Sequence, residues 1–258
     1  MGDMLYGELI RDMIWSYSRL ECFEACPYRW FLKYIEHETE EPQFYASYGS
    51  FMHELLAEFY SGRAGREACA KRFLLDFSDK VRGERPPGRI PSDFIDAGYN
   101  FLKTAEPLPF RTLGVERNVQ FGVADAVFTG FIDYIGERDG KLYVIDHKSA
   151  DIRPRSGKAK PTAKDKELDE RLRQLYLYSA AVFAEFGRYP ATLCFNCYRT
   201  GAFVEEPFDE ERYFDTLDRA AELIRTIRDC DDFPAHPDFF RCRYLCGLQN
   251  ECCYFEGR

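Results

Sequence analysis

Residues Gly130–Lys148 read GFIDYIGERDGKLYVIDHK, and the rest of the chain can be organised around them. Phe131, Ile132, Tyr134 and Ile135 lead into a turn, and Leu142, Tyr143, Val144 and Ile145 lead out of it. Glu137-Arg138-Asp139-Gly140 is the turn, because Asp-Gly accepts positive φ at low cost. The stretch is therefore a β-hairpin with Asp133 on one arm and Asp146 and Lys148 on the other. Strand side chains repeat every two residues, so Asp146 and Lys148 share a face, while Ile145 and His147 take the opposite one.

Two carboxylates and a lysine suit phosphodiester hydrolysis. Hard carboxylate oxygens hold Mg²⁺ or Mn²⁺, which keeps waters and binds substrate phosphate. A metal so held generates hydroxide and neutralises developing charge, and a nearby ammonium adds to that. D-x-K is a common tripeptide, however. Alone it reads more readily as an ordinary hairpin with polar residues turned to solvent.

The 258 residues suffice for one full hydrophobic core. Hydrophobic content of 45% and aromatic content of 16% fit a globular protein. A net charge of −9 argues against a general polyanion binder, so any nucleic-acid contact must use a local basic strip. The N-terminal MGDMLYGELIRDMIWSYS has acidic residues and no long apolar core, unlike a signal peptide. No apolar run reaches membrane-spanning length. A cytoplasmic location is the expectation, and there ten cysteines are thiols or metal ligands before they are disulfides.

Toward the N-terminus, Ser18-Arg19-Leu20-Glu21 predicts a capping box, and Pro27 interrupts or restarts the helix behind it, leaving Cys26 at a junction. Gly49–Tyr60 predicts a helix through the spacing of Met52, Leu55, Leu56 and Phe59, with His53 and Glu54 beside the stripe. A lone helical His is ordinarily structural. Further helices are expected over Ala68–Val81 and Pro91–Ala105, together forming a lobe over one sheet edge. Val115–Phe121 alternates as a strand, and Val123–Val127 gives a short strand or turn.

Past the hairpin, Ser149–Asp169 is polar and irregular, with Arg153, Arg155, Lys158, Lys160, Lys164 and Lys166. It is either a solvated loop or a strip that contacts phosphates. Leu168–Phe186 predicts a helix that places Gln174 and Tyr178 on one face. Ala191–Tyr198 predicts a strand whose Cys194 and Cys197 point to opposite faces and are structural. Asp209–Asp229 predicts a long amphipathic helix. The tail then packs Cys242, Cys246 and the doublet Cys252-Cys253 into a dozen residues; its C-x3-C-x5-C spacing groups three thiolates around one centre, with Cys26 as a distant fourth. Zn²⁺ and an iron–sulfur cluster both fit such a set.

Taken in order, Ser18–Cys26-Pro27, Gly49–His53, Gly130–Asp133, Asp146-His147-Lys148, Gln174–Tyr178 and the cysteine tail resemble the RecB-like branch of the PD-(D/E)XK nuclease superfamily. Within it they resemble the subset with a four-cysteine iron–sulfur cluster, as in AddB-type nuclease domains and CRISPR-associated adaptation nucleases. The resemblance implies an α/β, restriction-endonuclease-like mixed β-sheet flanked by helices, a helical lobe over about 16–110, a nuclease core over about 111–205 and a cluster tail over about 206–258, all in one domain. It implies His53, Asp133 and Asp146 as ligands of Mg²⁺ or Mn²⁺, with the His147 carbonyl as a further one and Lys148 as catalytic lysine. Gln174 and Tyr178 would contact DNA, joined by Arg153, Arg155, Lys158 and Lys160. Cys26, Cys242, Cys246 and Cys252 would hold a 4Fe-4S cluster, with structural Zn²⁺ as the alternative. The first tail spacing is C-x3-C where the pattern has C-x2-C, and Cys22 and Cys253 are rival ligands. The expected activity is metal-dependent DNA cleavage at ends, in CRISPR adaptation, repair or phage recombination. Integrase-type or helicase partners would be separate chains, since no G-x-x-x-x-G-K-[ST] occurs. A non-catalytic DNA-end-binding scaffold and a zinc-stabilised binding module are the rival classes.

Overall fold

A computed structural model describes residues 6–255. The outermost residues of the 1–258 domain span, and the first five of the segment read as lacking a signal peptide, lie outside these. The chain order is α1 (Gly7–Arg11), α2 (Tyr17–Ala25), α3 (Pro27–Tyr34), α4 (Phe44–Tyr60), α5 (Arg66–Lys80) and α6 (Ile90–Thr104). Then come β1 (Arg111–Val123), β2 (Ala126–Arg138), β3 (Lys141–Lys148), α7 (Ala163–Phe186), β4 (Thr192–Cys197), β5 (Ala202–Pro207), α8 (Glu210–Arg228) and α9 (Phe239–Tyr244).

The five strands form one mixed sheet in sequence order. Only β3 and β4 run parallel, because α7 carries the chain back between them. The other pairs are antiparallel. The central hairpin turns tightly on Asp139 and Gly140, both at positive φ, so the strands run on to Arg138 and from Lys141. Only the last two residues of the four-residue turn therefore leave the ladder. The segment 123–127 likewise resolves into the end of β1, a turn and the start of β2.

One face of the sheet packs against α7 and α8 through Leu142, Val144, Leu193 and Phe195, met by Leu172, Leu175 and Ile224. On the other face Tyr134, Tyr143, Ile145 and Cys194 form a small cluster beside Tyr60 of α4. Cys194 and Cys197 do lie in separate clusters, as strand alternation requires. Helices α4, α5 and α6 bury their own core of Tyr48, Phe51, Leu55, Phe73 and Leu102.

Local expectations change at two helix starts. The helix α2 is capped by Ser16, whose hydroxyl accepts from the Arg19 amide, and not by Ser18. Pro27 does restart the helix, with Cys26 closing α2 and opening α3. Helix α7 begins at Ala163, five residues before Leu168, because Thr162 and Asp165 make a reciprocal capping box. The irregular basic stretch thus ends at 162. No helix among the described residues is long and apolar enough to cross a membrane.

Candidate active site

The sheet is irregular where β2 parts from β3. Beyond the Tyr134–Ile145 pair the two strands no longer share a ladder. There the Asp133 side chain takes over, and its Oδ2 accepts from the His147 amide at 2.6 Å. Alternation also fails at this residue: Ile132 packs under α7, whereas Tyr134, two residues on, joins the opposite face. Opposite Asp133 on β1 stands Glu116, between the pairs Val115–Tyr134 and Arg117–Ile132, and its φ is +48°. A non-glycine residue in that region inside a strand is strained, and such strain is held where the surroundings fix it.

Helix α4 brings His53 to this break. Its Nδ1 lies 3.4 Å from Asp133 Oδ1 and 3.7 Å from Glu116 Oε1. Its Nε2 lies 2.9 Å from the His147 carbonyl oxygen. Donor atoms of His53, Glu116 and Asp133 all fall within 4.8 Å of one another. One nitrogen and two carboxylates so grouped fit a hard divalent ion, with the imidazole favouring Mn²⁺.

Asp146 and Lys148 point together toward α7. Lys148 Nζ donates to Asp146 Oδ1 at 3.1 Å and to Gln174 Oε1 at 3.0 Å, and lies 2.9 Å from Asp146 Oδ2. Gln174 Nε2 donates to the Tyr178 hydroxyl at 3.3 Å. Gly130 makes room for this: a Cβ there would meet Tyr178 Cε1 at 2.6 Å. On the opposite face His147 stacks on Tyr60, with its Nδ1 near Asn196.

Burial dominates the electrostatics. It pushes the Asp146 carboxyl up to about 6, although Lys148 pulls the other way. It pushes His147 down to about 4, leaving that ring neutral. Burial opposes the charge of His53 too, yet Asp133 and Glu116 overcome it and push His53 up to about 10. Burial is likewise overcome at Lys148, where Asp146 holds the ammonium above its ordinary range.

His53, Asp133, Asp146, the His147 carbonyl, Lys148, Gln174 and Tyr178 are thus brought to one end of the sheet. The close donor set, however, holds Glu116 where sequence reasoning expected Asp146. Nothing local in Val115–Phe121 marked Glu116. Its signal was register: it is the residue of β1 that falls opposite Asp133. The basic strip is more committed than expected. Arg155 pairs with Asp169 at 2.7 Å and Glu206 at 3.0 Å, and Arg153 with Asp151 at 3.0 Å. Lys158 and Lys160 remain exposed.

The cysteines gather at the N-terminus of α3, which Cys26 opens. Cys26, Cys242, Cys246 and Cys252 line one small cavity walled by Leu32, Leu248 and Phe255. Backbone amides of His236 and Asp238 donate to the sulfurs of Cys26 and Cys242 at 3.4 and 3.5 Å. The rivals face elsewhere: Cys22 lines a neighbouring groove, and exposed Cys253 meets the Tyr28 hydroxyl at 3.5 Å.

Comparison with known proteins gives the same picture. No curated protein matches the chain. A solved structure from Eubacterium rectale described as "Putative exonuclease" superposes with a TM-score of 0.56 over 93% of this chain and 90% of that one, at 11% identity. That likeness concerns the fold alone. A second structure, SSO0001, aligns over 98% of each chain at 18% identity, with a TM-score of 0.34, too low to bear on the fold. The model of the PD-(D/E)XK nuclease superfamily matches residues 14–253. With its mixed five-stranded sheet flanked by helices, the chain belongs to the PD-(D/E)XK nuclease superfamily.

Proposed function

We propose that the protein is a RecB-like, metal-dependent DNA nuclease that trims DNA ends and carries a 4Fe-4S cluster. The observation that carries the nuclease reading is the convergence of His53, Glu116 and Asp133 beside the Asp146–Lys148–Gln174 chain. His53, Glu116 and Asp133, with the His147 carbonyl and Asp146 close by, would hold Mg²⁺ or Mn²⁺. Such an ion, when bound, supplies Lewis acidity and a water of lowered pKa.

The chain's own groups do the rest. Lys148 is an ammonium, so it acts by stabilising charge on the phosphate and orienting the attacking water, and not as a resting base. Asp146 fixes that ammonium from one side, and Gln174 from the other. Tyr178 holds Gln174 in turn. Asp133 is itself fixed by the His147 amide, so its free oxygen stays aimed at His53. A scaffold would have no use for a buried lysine so positioned.

Four thiols at one cavity, two of them accepting amide hydrogen bonds, suit a thiolate-ligated centre. A tetrahedral Zn²⁺ with ~2.3 Å bonds would draw its sulfurs to ~3.8 Å from one another. Among the described residues no three thiols lie within 4.8 Å. A cubane, which carries one thiolate on each of four irons, spreads its ligands more widely, and metal analysis decides between the two.

The test is anaerobic purification, then iron and sulfide analysis and an Mn²⁺ cleavage assay on end-labelled single- and double-stranded DNA. Metal-dependent shortening from the ends, abolished in Lys148→Ala with DNA binding kept, is the expected result. Binding without cleavage by the parent protein would mean a scaffold. Zinc alone at the thiols would overturn the cluster. Such an end-trimming nuclease fits CRISPR adaptation, repair or phage recombination, in the cytoplasm, with an integrase-type or helicase partner.

A further inference from the structure

The strand that carries Asp133 has a bare apolar face beside it. Gly130 abuts Tyr178 of α7 and Ile132 packs in the same core, so Phe131 turns to the opposite face, the one on which α4 stands. Its ring is 55% exposed. Val127, four residues back on the same side of β2, is also exposed. Between them Thr129 forms a wall of a groove of about 490 Å³ that also takes in Ile14, Arg19, Tyr34 and His37. Across the ladder, Phe131 and Thr129 face Asn118 and Gln120, two exposed uncharged amides.

Three features say what covers this face. First, it is continuous with the candidate site: two residues of strand advance about 7 Å, so Phe131 sits one extended-nucleotide step from Asp133. Second, its charge is the right one. In a chain of net charge −9, the groove past Thr129 has no acidic lining among the described residues, but it has an arginine and a histidine. Third, Arg19 is already stacked, with its guanidinium 4.3 Å from the centre of the Tyr34 ring, and its Nε is buried with no hydrogen-bond partner. Aromatic faces alternating with cationic groups along one path are the physical requirement for an unpaired polynucleotide, whose bases have free π-faces. A base inside a duplex has both faces covered and gains nothing from such a ring.

Resting on the nuclease reading above, we propose that Phe131 is the stacking platform for the unpaired base next to the scissile phosphate, with the strand continuing past Thr129 toward Arg19 and Tyr34. The site thereby selects single strands and frayed ends. Stacking reads no base edge, so the selection is for unpaired structure and not for sequence.

The test measures binding of an end-labelled oligothymidine by fluorescence anisotropy, with Ca²⁺ replacing Mn²⁺ to hold back cleavage. Phe131→Ala should weaken binding roughly tenfold, and Phe131→Trp should restore it. An abasic residue placed stepwise from the end should cost the parent protein the same factor at one position. At that position Phe131→Ala should cost nothing more. Parent-like binding by Phe131→Ala, an equal loss on blunt duplex, or additive losses at every abasic position would overturn the proposal. So would a change confined to self-association. The two readings fail separately. Cleavage by the parent protein with no effect of Phe131→Ala removes the platform alone. Ring-dependent binding with no cleavage in Mn²⁺ removes the nuclease alone, and absence of any DNA binding removes both.

Discussion

Metal binding should expel a proton from His53, and the size of the effect follows from the site. Asp133 and Glu116 outweigh burial and push this histidine up to about 10. A ligand imidazole must be neutral, so the ion competes with that proton. At pH 7.5 roughly one ring in 300 is neutral, which places the apparent affinity roughly 300-fold below its limit. It should rise about tenfold per pH unit and level off near pH 10. Asp146, pushed up to about 6 by burial, adds a second proton below that pH. The slope therefore steepens there only if its carboxylate shares the ion. The assay is anaerobic calorimetric titration with Mn²⁺ from pH 6 to 9, repeated in buffers of different ionisation enthalpy. One proton released per ion at pH 7.5 is expected. Equal affinity at pH 7 and 9, with heats independent of buffer, would refute the reasoning. The sign for folding is the reverse of that for metal affinity. A raised His53 stabilises the metal-free protein fully below about 6.5, and that contribution is lost as pH rises through about 10.

Further outcomes are expected at particular residues. Lys148→Ala should lower cleavage by about 10²–10³, with single-strand affinity little changed, measured by single-turnover assay and anisotropy. Gly130→Ala forces a Cβ against the Tyr178 ring and should cost ~1–3 kcal/mol in denaturant unfolding, with cleavage falling as Gln174 loses its support. Cys252→Ala should lose iron and visible absorbance, while Cys253→Ala keeps both, because only the first lines the thiol cavity. Replacing exposed Lys158 and Lys160 with alanine should flatten the salt slope of single-strand binding by roughly 1.4, about 0.7 for each lost phosphate contact. Arg155→Ala, by contrast, should lower the melting temperature and leave the slope alone, since its charge is spent on Asp169 and Glu206.

Much of this was legible in the chain because it is local. Alternating apolar residues and an Asp-Gly turn specify the hairpin, and a period of two puts Asp146 and Lys148 on one side. A period near 3.6 puts Gln174 and Tyr178 on one face of α7, and Pro27 leaves Cys26 at a helix junction whatever the rest of the fold does. These features depend on neighbours a few residues away, so backbone geometry alone settles them.

What the sequence left open depends on pairing across long separations. Glu116 enters the site because strand register sets it against Asp133, and helix α4, far earlier in the chain, delivers His53 to both. Asp146 is drawn to Lys148 because both face the buried side under α7, where an unpaired charge would be costly. Arg155 looks free in a polar stretch, yet two carboxylates from other elements claim it. Cys22 and Cys26 share a helix and an alphabet; only the packing of the tail against α3 decides which sulfur joins Cys242, Cys246 and Cys252. Composition and spacing determined which groups this protein has available, and the tertiary fold decided which of them meet, because a buried charge or thiol is placed by whatever the rest of the chain packs beside it.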